Sequence, residues 1–173
     1  MRCYTNNKNF TKNNKTIGSI IKKINKKKFT KLFNKYKNSF KSQKIKPKNF
    51  VHIGSTTIDN ILAKPLLDMM YVTDEHPKIT LSEFKKMKDK NYTKCIHLND
   101  TWSMIKSKKI NLHIIRRNSA KHKNLLKFKK LLKSKKIRDE YIKLKKDNKN
   151  AKNSTYKNDF FKKYKLTTKG LKK

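Results

Sequence analysis

Acidic residues are scarce in this chain of 173 residues, which has 11 Asp and Glu against 49 Lys and Arg and a formal net charge of +38. No acidic residue precedes Asp59, and glutamate occurs only at Glu75, Glu83 and Glu140. An AT-rich genome would explain the abundance of lysine but not the shortage of acids. In a compact domain with this net charge, the positive side chains repel one another, and binding of a polyanion relieves the repulsion. Nucleic acid is therefore the first partner to expect. A biased composition on an ordinary fold is the alternative.

Cysteine and long apolar segments are also lacking. Cys3 and Cys95 have no second thiol or histidine at metal-ligand spacing, so neither a disulfide scaffold nor a zinc site is indicated, and a reducing compartment fits. No apolar stretch approaches the roughly 18 residues of a membrane span. The amino terminus is basic like a transit peptide, but it is rich in Lys and Asn rather than Arg and Ser, so a mitochondrial and a cytoplasmic location both stay open.

Arginine is rare compared with lysine, and it occurs only at Arg2, Arg116, Arg117 and Arg138. Lysine is suited to neutralising phosphates, whereas bidentate reading of bases favours arginine, so binding to a nucleic-acid backbone is predicted. The candidate nucleic-acid-binding residues are Lys26, Lys27, Lys28, Arg116, Arg117, Lys129, Lys130, Lys135 and Lys136.

The apolar pattern predicts one domain over residues 17–164 between basic tails at residues 1–16 and 165–173. Residues 17–42 show apolar side chains at helical spacing on an otherwise lysine-rich segment. Such a helix can pack on its own domain or lie on a membrane surface, and the width of the apolar stripe favours packing.

The remaining pattern alternates strands and helices. We expect strands at 50–53, 66–72, 95–98, 101–105 and 110–115, helices at about 56–63 and from a capping box at Thr80 to about residue 89, and helices with a break near Ser134 in the last third. The strand at 66–72 is almost continuously apolar, which predicts burial on both faces. This order predicts an α+β fold, a small mixed sheet covered by helices, with basic terminal extensions.

The most informative segment is residues 52–68, which reads HIGSTTIDNILAKPLLD. A Gly54-Ser55-Thr56 turn that follows a strand offers backbone N–H groups and hydroxyls to a phosphate, and Lys64 can add a charge. Asp68 on the next strand points a carboxylate back at this turn. A phosphate cradle beside a carboxylate indicates metal-assisted phosphoryl chemistry.

These residues resemble the signature of the GrpB family, His-Ile-Gly-Ser-Thr followed by Ala-Lys-Pro and an apolar strand with Asp. Further similarities extend over roughly 27–164, including Leu112-His113-Ile114-Ile115, Tyr141-x-x-Leu144-Lys145 and Lys157-x-x-Phe160. The resemblance implies a fold like that of polymerase-β-type nucleotidyltransferases, and a related domain is appended to some dephospho-CoA kinases. It implies fold more firmly than activity.

The chain departs from the superfamily pattern where metal ligands are expected. The superfamily pairs two carboxylates one residue apart, but here Met70 stands at the position paired with Asp68, and methionine cannot bind magnesium. Asn111 replaces the first His of the family's His-Leu-His, and Lys129-Lys130 replaces an Arg-Asp pair. The exchange of Arg-Asp for Lys-Lys removes a possible third acid and adds charge, which moves the site away from metal and toward phosphate.

Three functional hypotheses follow. The first is a non-catalytic RNA-binding protein without cofactors, associated with ribosomal RNA and ribosomal proteins, with no membrane span. The second is a nucleotidyltransferase in which Asp68 holds Mg²⁺ and His113 or Lys64 assists the developing charge on a substrate. The third is a housekeeping protein of biased composition.

Each candidate residue also has a structural interpretation. Asp68 can be a buried carboxylate whose hydrogen bonds are satisfied, and His113 can be an ordinary histidine of the sheet. His76, His97 and His122 are interpreted as structural residues without partners.

Overall fold

The computed structural model describes residues 4–5, 22–40, 44–86, 92–107, 109–148 and 156–166. The described residues form eight strands and five α-helices. The strands are β1 (Tyr4–Thr5), β2 (Lys22–Lys23), β3 (Phe50–Ile53), β4 (Leu62–Ala63), β5 (Leu67–Thr73), β6 (Tyr92–Asn99), β7 (Trp102–Ser107) and β8 (Ile110–Arg116). The helices are α1 (Lys26–Ser39), α2 (Pro77–Lys86), α3 (Ala120–Leu131), α4 (Lys135–Asp147) and α5 (Lys157–Lys163).

The main sheet is mixed and has the strand order β1-β6-β7-β8-β5-β3, while β2 and β4 form a separate antiparallel pair. β5 and β8 run parallel, and β3 pairs with β5 in the antiparallel sense. In this register Asp68 lies opposite both Ile53 and Asn111, and Met70 lies opposite His113. The register therefore brings the Gly54 turn, at the end of β3, next to Asp68.

The sheet is covered by helices because both of its faces are apolar. The apolar side chains on one face of β5, such as Met69 and Tyr71, join a large core that includes Phe40, the C-cap residue of α1, and Phe84 of α2. Those on the other face, such as Met70, join a smaller cluster that Leu125 of α3 contacts. The predicted α+β class, with a small mixed sheet covered by helices, is confirmed, as is the burial of the apolar strand on both faces.

An aromatic cluster holds the carboxyl-terminal helices together. Phe128 of α3 meets Tyr141 of α4 edge-on with ring centroids 5.3 Å apart, and Phe160 of α5 lies 5.2 Å from Tyr141. Edge-on aromatic pairs add to the stabilisation from burial. Ser134 is the N-cap residue of α4, as the predicted break requires. The cluster therefore fixes the position of α4 and α5 relative to the sheet.

Three local predictions are wrong. The predicted 17–42 helix begins only at Lys26, because Asn25 caps α1 by accepting a hydrogen bond from the Lys28 N–H at 3.0 Å. The helix predicted at 56–63 is instead a 3-10 turn at Ser55–Thr57 followed by β4, because Asn60 has a φ of 57°, which α-helix does not permit.

The capping box is the third wrong prediction. α2 begins at Pro77, so Thr80 lies inside the helix, and its hydroxyl is 2.8 Å from the Thr73 hydroxyl. Proline is favoured in the first turn of a helix because its missing N–H has no intrahelical partner there. The end predicted near residue 89 lies outside the described residues.

The predicted tails lie mostly outside the described residues. In the first tail, Tyr4–Thr5 forms β1 and runs parallel to β6. In the second, Leu166 is buried and its N–H donates to the Phe161 carbonyl at 2.8 Å. The domain boundaries at 17 and 164 stay predictions. None of the described helices is long and apolar enough to cross a membrane.

Candidate functional site

Gly54 places the chain against Asp68. Its φ of 77° lies in the region that favours glycine, and a Cβ built on it would lie 2.5 Å from Asp68 Oδ2. The Thr57 N–H and hydroxyl both donate to the Gly54 carbonyl, at 3.2 and 2.7 Å. Glycine is therefore required here twice, for the backbone conformation and for space.

Asp68 is half-buried beside this turn, and one of its oxygens accepts a hydrogen bond from Asn111 Nδ2 at 3.0 Å. Burial raises the pKa of Asp68, while the Asn111 hydrogen bond and the charges of Lys157 and Lys145 act in the opposite direction. Asn111 replaces a histidine of the family pattern, and here it orients the carboxylate.

Lys145 of α4 holds the Gly54 turn by a hydrogen bond to Ser55. It is only 8% exposed, and its ammonium donates to Ser55 Oγ at 2.9 Å. Burial and the charge of Lys157 lower the pKa of Lys145 to about 8, although Asp68 raises it. The buried hydroxyl of Tyr141 also hydrogen-bonds Ser55, which opposes the burial that raises the pKa of Tyr141. Ser55 is thus held by two residues of one helix.

Lys157 and Lys64 make the surroundings of Asp68 strongly positive. Burial lowers the pKa of Lys157, the charge of Asp68 raises it, and the charge of Lys64 lowers it again. Lys64 itself is exposed. The site therefore combines one carboxylate with several ammonium groups, a charge distribution that attracts anions.

His113 lies on the same face of the sheet but is held by a different partner. Its Nδ1 accepts a hydrogen bond from Trp102 Nε1 at 3.2 Å, and the two rings stack with centroids 5.8 Å apart. Burial, with the charges of Lys121 and Lys106, lowers the pKa of His113 to about 3. His113 is therefore a neutral sheet histidine, and among the described contacts none joins it to Asp68.

The donor set around Asp68 does not fit a pair of magnesium ions. Met70, in the position of the second carboxylate, is fully buried. The charged groups that shift the pKa of Asp68 are lysines, namely Lys157, Lys145 and Lys106. Magnesium prefers oxygen ligands, and a second cation beside these ammonium groups would be repelled.

Thr56 was predicted to contact phosphate, but it is 1% exposed and lies behind the turn. Its hydroxyl is 2.9 Å from His52 Nε2, and the His52 ring stacks on Phe33 with centroids 5.3 Å apart. Thr56 and His52 therefore support the turn from the interior, while Ser55 faces Lys145.

The predicted nucleic-acid-binding residues fall into separate groups. Lys26 of α1 and Lys129 of α3, far apart in sequence, line the same cavity. Arg117 is paired with Asp74, with its Nε 2.6 Å from the carboxylate. The remaining members are exposed: Lys27, Lys28, Arg116, Lys130, Lys135 and Lys136.

A second group of candidate metal ligands lies at the opposite end of the sheet. The three residues are His76, His97 and Asp100, and each contributes one ligand atom to a group in which all three atoms lie within 4.8 Å of one another. His76 Nε2 is 3.4 Å from Asp100 Oδ1. However, His76 Nδ1 accepts from the Lys78 N–H at 3.2 Å, so Nε2 of the neutral ring carries its proton and has no lone pair for a metal. The expectation that these histidines lack partners is wrong, since His97 also contacts Ser103 at 2.9 Å.

Sequence reasoning missed Lys145 and Lys157 as site residues. Both were within the matched family patterns Tyr-x-x-Leu-Lys and Lys-x-x-Phe, so the signal was present. It was missed because these lysines lie about 90 residues or more after Ser55 and resemble any other lysine of the chain. Lys133 and Arg138, which also line the cavity with Lys26, had no signal beyond their charge.

Comparisons with known proteins agree with this architecture. The crystal structure of the conserved protein GrpB from Enterococcus faecalis has a TM-score of 0.61 with this chain at 23% identity, covering 88% of this chain and 98% of that one. No functionally curated protein matches the sequence. Residues 21–169, well over half of the chain, match the family described as GrpB protein. The chain therefore belongs to the GrpB family.

Proposed function

We propose that this GrpB-family protein is a non-catalytic RNA-binding protein and a component of a ribosome, in the mitochondrion or the cytoplasm. The observation that carries the proposal is the net charge of +38, from 49 Lys and Arg against 11 Asp and Glu. Each lysine that neutralises a phosphate releases a counterion, so binding is favourable and falls steeply with salt. The basic segments at 1–16 and 165–173 would add such contacts.

The surroundings of Asp68 support the non-catalytic part of the proposal. Nucleotidyl transfer of the polymerase-β type needs two acids on one strand, and here the second position is the fully buried Met70. Ser55 already accepts a hydrogen bond from the buried Lys145, so the turn is held by a contact within the chain that needs no ligand. In this proposal the Gly54 turn is a structural joint between β3, β5 and α4.

Sedimentation of the native protein from lysate tests the proposal. A ribosomal protein travels with large particles in low salt, and RNase or high salt releases it to the top of the gradient. A protein that stays at the top in low salt, with intact ribosomes lower in the same gradient, contradicts ribosome association.

One observation favours nucleotidyl transfer as a second candidate function, in which Asp68 would have to hold a single Mg²⁺ without a second carboxylate. Gly54 lies close beside Asp68, and the buried Lys145 donates to Ser55, so a hydroxyl and an ammonium group that could bind a phosphate lie near a carboxylate. Asp68→Asn separates the two functions, because it removes the negative charge that a metal would need. The fold should be kept, since the oxygen of the new amide can still accept the hydrogen bond from Asn111. Enzyme activity requires loss of turnover in a folded variant, whereas the RNA-binding function predicts unchanged particle association.

A further inference from the structure

A basic cavity of about 630 Å³ opens beside the amino terminus of α1, and Thr57, which follows the Gly54 turn, is among its lining residues. Four cationic residues from separate parts of the chain line it: Lys26 of α1, Lys129 of α3, Lys133 after α3, and Arg138 of α4. Ligand cavities in proteins commonly have about 300–1,000 Å³, so a nucleotide unit fits.

Among the described lining residues, the four positive charges of this cavity are offset by a single carboxylate. Asp59 is the one carboxylate among the lining residues, and its Oδ1 accepts from the Lys26 backbone N–H at 3.1 Å, at the start of α1. None of the described salt bridges involves any of the four cations. Four like charges in one concave surface repel each other, so an anion in the cavity would stabilise the fold.

Two pKa shifts agree with this placement of cationic residues around the cavity. Burial, then the charges of Lys129 and Lys26, lower the pKa of His52 to about 4. Burial and the charge of Lys133 lower the pKa of Lys129. His52 is therefore neutral, and the ammonium groups of Lys129 and Lys26 both lie near its ring in the cavity wall.

The lining also suits the shape of a nucleic-acid strand. Arg138 has a planar guanidinium that can bind two oxygens of one phosphate, and the three lysines can neutralise the phosphates next to it. Ile58 and Leu132 add apolar surface against which a sugar or base can pack. Ser134, the N-cap of α4, makes no side-chain hydrogen bond to the helix, and the first turn of α4 has no acidic residue, so this helix end adds positive potential nearby.

We propose that the basic cavity binds consecutive phosphates of a single RNA strand and so fixes where RNA crosses the protein. This inference rests on the proposed RNA-binding function and gives it a location. It separates Lys26, Lys129, Lys133 and Arg138, which contact phosphate directly, from exposed lysines elsewhere that contribute mainly long-range attraction.

The test compares two double variants of the full chain, each losing two positive charges on the same two helices. The cavity variant is Lys129→Gln with Arg138→Gln, and the control is Lys123→Gln with Lys143→Gln, both exposed and outside the cavity lining. Binding of a labelled single-stranded RNA is measured by fluorescence anisotropy at several salt concentrations. We expect the RNA affinity of the cavity variant to fall about tenfold or more, and the slope of log K against log salt concentration to become shallower by about two. The affinity of the control should fall only about two- to threefold.

The outcomes separate this inference from the proposed function. Equal losses in the two variants, with wild-type RNA binding intact, would overturn the cavity assignment and leave RNA binding standing. A wild-type chain that binds no RNA at low salt overturns the proposed function itself. If the double cavity variant does not fold, Arg138→Lys keeps the charge but removes the planar fork. A loss of affinity in that variant supports phosphate contact in the cavity, and wild-type affinity opposes it.

Discussion

Gly54→Ala is the substitution that most directly tests the description of the Gly54 turn. Alanine at this position meets two obstacles. Its Cβ would lie 2.5 Å from Asp68 Oδ2 and 2.9 Å from Asp68 Cβ. Its backbone would also need a φ of 77° with a ψ of −169°, a combination that is found essentially only for glycine.

The magnitude follows from these two costs. Backbone strain of this kind costs about 1–3 kcal/mol, and overlap in a packed environment costs about 1–3 kcal/mol more. We therefore expect the free energy of unfolding to fall by about 2–6 kcal/mol. At about 2–4 °C per kcal/mol for a chain of this size, the melting temperature falls by roughly 5–20 °C. Urea unfolding followed by circular dichroism measures the first quantity, and a thermal scan measures the second.

The double variant Gly54→Ala with Asp68→Ala provides the control. It removes the carboxylate from the overlap but leaves the backbone strain, so it should recover about 1 kcal/mol or more relative to the sum of the single effects. If Gly54→Ala unfolds within about 0.5 kcal/mol of the wild type, the steric and conformational reasoning about this turn is refuted.

Three other predictions concern buried groups around the site. Met70→Asp, which restores the missing carboxylate at a fully buried position, should cost about 3 kcal/mol or more in unfolding free energy, whereas Met70→Leu should cost less than about 1.5 kcal/mol. Burial and Lys157 lower the pKa of Lys145 from 10.5 to about 8, so the unfolded chain holds this proton at pH values where the folded protein has lost it. Stability should therefore rise as pH increases from about 8 to about 10, and Lys145→Met should remove part of that rise in urea midpoints, with Lys121 supplying another part. His113, with a pKa of about 3, should not titrate between roughly pH 5 and 8 in NMR spectra, and a midpoint near 6.5 would contradict its burial against Trp102.

Local patterns predicted most of the sheet and the later helices. The strand at 66–72 was recognisable because six of its seven residues are apolar, with Asp68 as the exception, which suits a strand buried on both faces. The break at Ser134 was recognisable because the apolar period changes there. The predicted helix at 56–63 failed because one residue, Asn60, adopts a left-handed conformation that composition does not reveal.

The site was predictable only in the part that is contiguous in sequence. Gly54, Ser55 and Asp68 lie within one motif, and their contact follows from the pairing of β3 with β5. The role of Lys145 depends on how α4 packs, which is set by aromatic contacts among three helices. The cavity was hidden for a different reason: among 49 cationic residues, nothing in the sequence distinguishes the few that converge.

The contact between Ser55 and Lys145 joins residues 90 positions apart, and this separation has a consequence for folding kinetics. Pairing of β7 with β8 and packing of α3 against α4 involve near neighbours in sequence and can form early. The Gly54 turn, in contrast, gains its buried lysine only after α4 has been synthesised and has docked, and non-local contacts of this kind slow folding. Synthesis proceeds from the amino terminus, so we expect the turn to lack its hydrogen bond from Lys145 until α4 has left the ribosome.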